Sequence, residues 1–214
     1  MTPIQAPAVA LREDRFPAEL TVLVSGEGVH YPGSPWKNQV DPLFGVVWEK
    51  WAGPCTGAPL YGEFDPAVQR VAADRLLCAM GGERPEVLPG EGMLWLLQTD
   101  EVAHQWPATI LTVTPPICLP HAQTALSRCA VLRRGHLAVR VPEAEPVGVI
   151  GTLYTPEGPQ GGADQLVLFT DTSRLPFVLA RHLVLELRGA VPDRTLHPES
   201  LPSPALRALT PRLT

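Results

Sequence analysis

Cys118 and His121 are the residues of this chain whose types and spacing best fit chemistry. Two residues separate them, a spacing at which both side chains can turn toward one metal ion. Structural zinc sites take four such ligands, usually Cys or His in closely spaced pairs. Cys78 precedes this pair and Cys129 follows it. The earlier pair is incomplete, because Cys78-Ala79-Met80-Gly81 puts a glycine where a second ligand would stand. Cys55, beside Gly53-Pro54, has no partner at ligand spacing.

Three arrangements of these residues are open. Cys78, Cys118 and His121 could hold zinc with Cys129 as fourth ligand, although Cys129 would then sit ~12 Å from His121 along one helix. The same three could hold zinc with water at the corner vacated at Gly81, which is the ligand pattern of a catalytic zinc. In the third arrangement the metal is lost and the thiols are packed over as small hydrophobes, the default for a buried free cysteine. Without metal, Cys118 at a helix N-terminus would have its thiol pKa lowered. His121 could then serve it as a base, giving a Cys–His nucleophile pair. The plainer account of these two residues is capping and packing.

Period and punctuation in the sequence indicate which elements must position these groups. A helix begins at Asp65-Pro66, an N-cap followed by a proline suited to the first turn. Val68, Val71, Ala72, Leu76 and Ala79 continue it at helical spacing toward Cys78, and Gly81-Gly82 stops it. Two apolar runs, residues 92–98 and 108–113, predict the arms of a hairpin, with a long connection carrying His104 and Trp106. A second helix is predicted over 119–134, opened by Pro120 and stopped by Gly135. Ligand, hairpin, ligand pair and helix is the order of a treble-clef zinc element, here spanning residues 76–135.

Elsewhere, residues 20–24, 43–51, 136–141, 147–154 and 165–170 read as strands, and 57–64 and 158–162 as turns. Residues 175–188 have a helical period, with His182 on a solvated face. Residues 191–214 are proline-punctuated and read as a surface or partly disordered tail, with a short helix at most over 204–209.

The run Leu76-Leu77-Cys78, Gly92-Met-Leu-Trp95-Leu-Leu97, Pro115-Pro-Ile-Cys118-Leu-Pro-His121-Ala122, Cys129 and Leu132-Arg-Arg-Gly135 resembles a group of uncharacterised actinobacterial proteins. In that group the run reads CxxC, an LWLL strand, PPxCxxCA and a helix. The resemblance spans residues 57–187 and is firmest over 76–141. It implies a zinc-ribbon or treble-clef element inside a larger α+β domain. This chain departs at two of the four ligand positions, with Gly81 and His121 where the group has cysteine.

Composition narrows the function. The net charge of −5 does not favour nucleic acid or an anionic membrane as partner. Lys37 and Lys50 are the only lysines and Asn38 the only asparagine, a skew that points to a GC-rich genome such as an actinobacterium's. The N-terminus lacks a signal-peptide pattern, and no apolar run is long enough to span a membrane. Four cysteines without an export signal fit a reducing cytoplasm rather than a disulfide framework. The 25 prolines predict short elements and rigid loops. Nucleotide and phosphate-loop motifs are absent.

Other candidate groups have plainer explanations. Ser25-Gly-Glu-Gly28 with His30 and Tyr31 could line a pocket, but glycine turns before aromatics are common. Arg128, Arg133, Arg134 and Arg140 could form a basic patch, for which a salt-bridged surface is the simpler account.

These readings converge on an α+β fold, with a mixed or antiparallel sheet, two or three helices and a degenerate treble-clef-like element. It forms one domain over residues 1–190, followed by the tail. The expected function is an enzyme of small-molecule metabolism with hydrolytic, cyclising or eliminating chemistry. Cys118 and His121 are its catalytic residues, in a pocket derived from a decayed zinc site. Zinc, where bound, sits on Cys78, Cys118 and His121. The alternative is a non-enzymatic binding or regulatory module with a structural or vestigial zinc site. Loss of half the ligand set argues against a purely metal-stapled scaffold, and the acidic charge against nucleic-acid binding. No motif fixes the oligomeric state.

Overall fold

The computed structural model describes residues 6–19, 21–102, 104–105 and 109–196. In chain order it begins with strands β1 (Ala10–Arg12), β2 (Phe16–Pro17), β3 (Leu23–Val24), β4 (Val29–His30), β5 (Val47–Trp48), β6 (Trp51–Ala52) and β7 (Pro59–Phe64). Helix α1 (Pro66–Asp74), β8 (Met93–Gln98), helix α2 (Thr99–Val102), β9 (Ile110–Thr112) and helices α3 (Leu119–Arg128) and α4 (Ala130–Arg134) follow. The chain closes with β10 (His136–Val141), β11 (Glu143–Thr155), β12 (Gly158–Leu168), β13 (Val178–Arg188) and β14 (Val191–Pro192). The architecture is α+β, with helices and both mixed and antiparallel sheets. No described helix is long and apolar enough to cross a membrane.

The described residues form two compact units, one of residues 6–8, 72–146 and 185–196, the other of 9–71 and 147–184. The first is built on the antiparallel sheet β14-β10-β8. β10 and β8 pair along their whole length, from Val141 opposite Met93 to His136 opposite Gln98. Met93 to Leu97 are all buried, so β8 has both faces covered. Strand alternation turns Leu94, Leu96 and Ala138 to one face. There they join Cys78, Met80, Ile117 and Ala122 in one core cluster. Trp95 faces the other way, and its indole N–H donates to the Thr114 carbonyl at 3.0 Å.

The predicted hairpin between residues 92–98 and 108–113 does not form. Both runs are strands, but β8 pairs with β10, and β9 pairs with the end of β13, Ile110 opposite Leu187. The intervening connection, which includes α2, exceeds the two to five residues of an ordinary hairpin loop and frees the second run to find another partner. Gly92 has φ +87, and a Cβ there would overlap the Val141 carbonyl, so only glycine permits this approach of β8 to the end of β10.

Three helix expectations also change. α1 ends at Asp74, and Leu76 turns the chain with φ +52 before it reaches Cys78. The helix expected over 119–134 is broken at Cys129, whose extended backbone ends α3 and starts α4. Residues 178–188, expected to be helical, form strand β13, which lies between β11 and β5. Its run of buried residues on both faces is what a central strand requires, and it imitates a buried helix in the sequence. Residues 59–64 and 158–162, expected as turns, are strand as well.

The second unit holds the sheet order β12-β11-β13-β5, in which β11 and β12 are antiparallel and β5 joins β13 in parallel, Leu179 opposite Val47. Asp65 caps α1 as predicted, accepting the Ala67 and Val68 N–H groups at 3.0 and 3.1 Å. From α1 the buried Gln69 amide exchanges two hydrogen bonds with the Leu183 backbone, at 2.9 and 3.0 Å, as a neighbouring strand would.

The start of the expected tail is docked. Val191–Pro192 pairs with β10, and Asp193 is 2% exposed. Asp193 accepts Arg140 Nε at 2.6 Å, and its other oxygen accepts the Thr195 and Leu196 N–H groups. Arg140 is therefore buried in an ion pair instead of belonging to a surface patch. Residues 197–214, with the expected helix over 204–209, lie outside the described residues, as does Trp106.

Candidate metal centre

Cys78, Cys118 and His121 meet in the first unit. Their ligand atoms all lie within 4.8 Å of one another, and the group could hold a metal ion. Cys118 is the N-cap of α3, with extended φ and ψ, and its carbonyl accepts the Ala122 N–H in the first helical bond. His121 is therefore in the first turn, directed back past the helix end. Cys78 arrives from the turn that follows α1, and a bond from its own N–H to the Glu83 carbonyl at 2.7 Å holds that turn.

The two sulfurs are 3.8 Å apart. Nδ1 of His121 lies 2.9 Å from Cys118 Sγ and 3.3 Å from Cys78 Sγ, so one ring nitrogen faces both. Cys78 Sγ, 1% exposed as a residue, accepts two backbone N–H groups, from Gly81 and Cys118, each at 3.4 Å.

Cys118 departs from expectation. Burial pushes its thiol pKa up from the ordinary 9.0, and proximity to Cys78 pushes it further. The His121 N–H, at the helix terminus, pulls it down by less. A free, activated thiolate at Cys118 is thus disfavoured in the metal-free protein. A cation between the two sulfurs would reverse that balance.

Gly81 stands beside the trio. A Cβ there would overlap the Glu83 carboxylate and the His121 ring, so the absence of a side chain is what lets those two groups approach the backbone. Glu83 is exposed and stands outside the three-residue group. The hydrophobic wall is formed by Met80, Leu94, Leu96 and Ile117, with Leu119 and Leu126 of α3 packed against it.

Cys129 does not join the site; it marks the junction of α3 and α4. Cys55 and His104 are exposed and stand elsewhere. His182 is on β13 rather than a helix, with its ring edge-on to Phe64, and burial lowers its pKa. Glu83 is the neighbour that sequence reasoning missed, since nothing in its spacing from Cys78 distinguishes it from a solvated turn residue.

Comparison with known proteins adds no assignment: no protein-family model, curated protein or solved structure matches this chain.

Proposed function

We propose that Cys78, Cys118 and His121 hold one zinc ion with an exchangeable fourth position, and that this site serves hydrolytic, cyclising or eliminating chemistry on a small molecule. The carrying observation is a cluster of three ligand atoms that no fourth Cys, His, Asp or Glu ligand joins among the described residues. The donor set fits zinc. Two thiolates at the usual ~2.3 Å bond length around a tetrahedral ion lie ~3.8 Å apart, and the sulfurs here are separated by 3.8 Å. Bound there, zinc supplies Lewis acidity to a carbonyl or a water molecule. Cys78 offers a buried sulfur fixed by two backbone N–H groups, and Cys118 and His121 present their ligand atoms from one helix terminus. The exposed Glu83 carboxylate stands beside Gly81, next to the His121 ring.

A second reading, a binding or regulatory module with a structural zinc site, has its own support. Cys78 is buried in the core cluster, and two clefts of the second unit, of about 490 and 220 Å³, are lined by other residues. The experiment that separates the readings assays zinc-loaded and chelator-treated protein on activated esters and amides, with Cys118→Ser as the metal-binding control. The enzyme reading expects turnover in the wild type that chelation abolishes and that Cys118→Ser lacks. Absence of metal-dependent turnover in zinc-loaded wild type, with stability that still falls on chelation, would favour the structural module.

A further inference from the structure

We infer that the second unit carries a binding site for a small carboxylate with an apolar body, in the cleft floored by Tyr31 and Leu179 and lined by Lys50, Thr152 and Tyr154. The cleft encloses about 220 Å³, below the roughly 300–1,000 Å³ that suits drug-sized ligands. Its floor follows from strand alternation. Thr152 and Tyr154 project from one face of β11, and Leu179 and Arg181 from one face of the adjacent β13.

The charged groups here divide into committed and uncommitted. Arg181 is committed: Nε and Nη2 grip both Glu49 oxygens at 2.9 and 3.0 Å, and Nη1 reaches Asp164 at 3.2 Å. Glu49 also accepts the Trp51 indole N–H at 3.2 Å. Glu19, exposed at the rim, accepts the Thr21 N–H at 3.4 Å. Tyr31 is committed too, since its hydroxyl accepts the Lys50 N–H at 3.0 Å and donates to the Trp48 carbonyl at 3.4 Å.

The Lys50 ammonium remains. It lies 4.2 Å from the centre of the Tyr31 ring, and no carboxylate pairs with it among the described residues. The Tyr154 and Thr152 hydroxyls likewise have no hydrogen-bond partner among the described residues. One cation and two neutral hydroxyls thus line the same cleft as an aromatic ring and a leucine, with Glu49 held by Arg181 and Glu19 at the rim. That set matches an anion with two acceptor oxygens on an apolar stem. A phosphate would call for more than one free cation, and the second cation here is already neutralised.

The test is calorimetric titration of full-length protein with phenylacetate and 4-methylpentanoate, each against its primary amide. We expect the acids to bind about tenfold or more tightly than the amides, with that margin lost in Lys50→Met and reduced severalfold in Tyr154→Phe. Lys50 is exposed and Tyr154→Phe removes only a hydroxyl, so matching circular dichroism is expected for both variants. No saturable binding of either acid, or equal binding of acid and amide, would overturn the inference. So would an acid preference that survives Lys50→Met.

Discussion

Two polar clusters of the first unit differ in whether the chain completes them. At Asp193, one carboxylate oxygen takes the Arg140 guanidinium and the other takes two backbone N–H groups. At Cys78, Cys118 and His121, three ligand atoms face one another and no fourth Cys, His, Asp or Glu ligand joins them among the described residues. A cluster closed by its own chain can only hold the fold together. An open one leaves a coordination position for something from solvent. That contrast is the ground for proposing a site at the second cluster.

The largest effect is expected at the closed cluster. Asp193→Ala strands a buried guanidinium and is expected to lower unfolding stability by about 3–5 kcal/mol in urea titrations. Replacing both partners by apolar residues, Arg140→Met with Asp193→Leu, is expected to recover most of that loss. A single-variant loss under about 1 kcal/mol would mean the pair is no clamp, and the contrast would weaken.

Metal comes next. With free zinc about a hundredfold above its dissociation constant, chelation is expected to cost about 2.7 kcal/mol of stability. The same treatment is expected to change nothing in Cys118→Ser, as differential scanning calorimetry would show.

Tyr31 carries the distinction into the second unit, since its hydroxyl is closed by backbone partners. Burial is the main cause of its pKa rising from 10.0 to about 12. The stability it contributes is fully present below pH 10 and is lost as pH rises through about 12. Ultraviolet titration is expected to show one phenol ionising last, and Tyr31→Phe is expected to remove that phase.

The smallest effect is expected at Cys129. Cys129→Ser is expected to shift stability by under about 0.5 kcal/mol and leave metal content unchanged. A loss of metal would place Cys129 in the site.

The Cys118/His121 spacing and the Asp65 cap were legible because each is local: a few residues settle both the geometry and the chemistry. Strand partnership was not. β8 and β9 were visible as apolar runs, yet their partners, β10 and β13, depend on the whole sheet. β13 itself was hidden because a central strand and a buried helix both show as unbroken apolar sequence. Arg140 read as surface because its partner, Asp193, lies in a proline-rich segment that gave no sign of docking. The rise in the Cys118 pKa was also out of reach, since it comes from burial and from Cys78, while the sequence showed only the helix terminus.

The most direct test of the account is metal content by elemental mass spectrometry on untagged protein purified without chelator. About one zinc per chain is expected, falling to background in Cys78→Ser, Cys118→Ser and His121→Ala and unchanged in Cys129→Ser. Wild-type protein without zinc, and unable to take it up on reconstitution, would contradict the central claim.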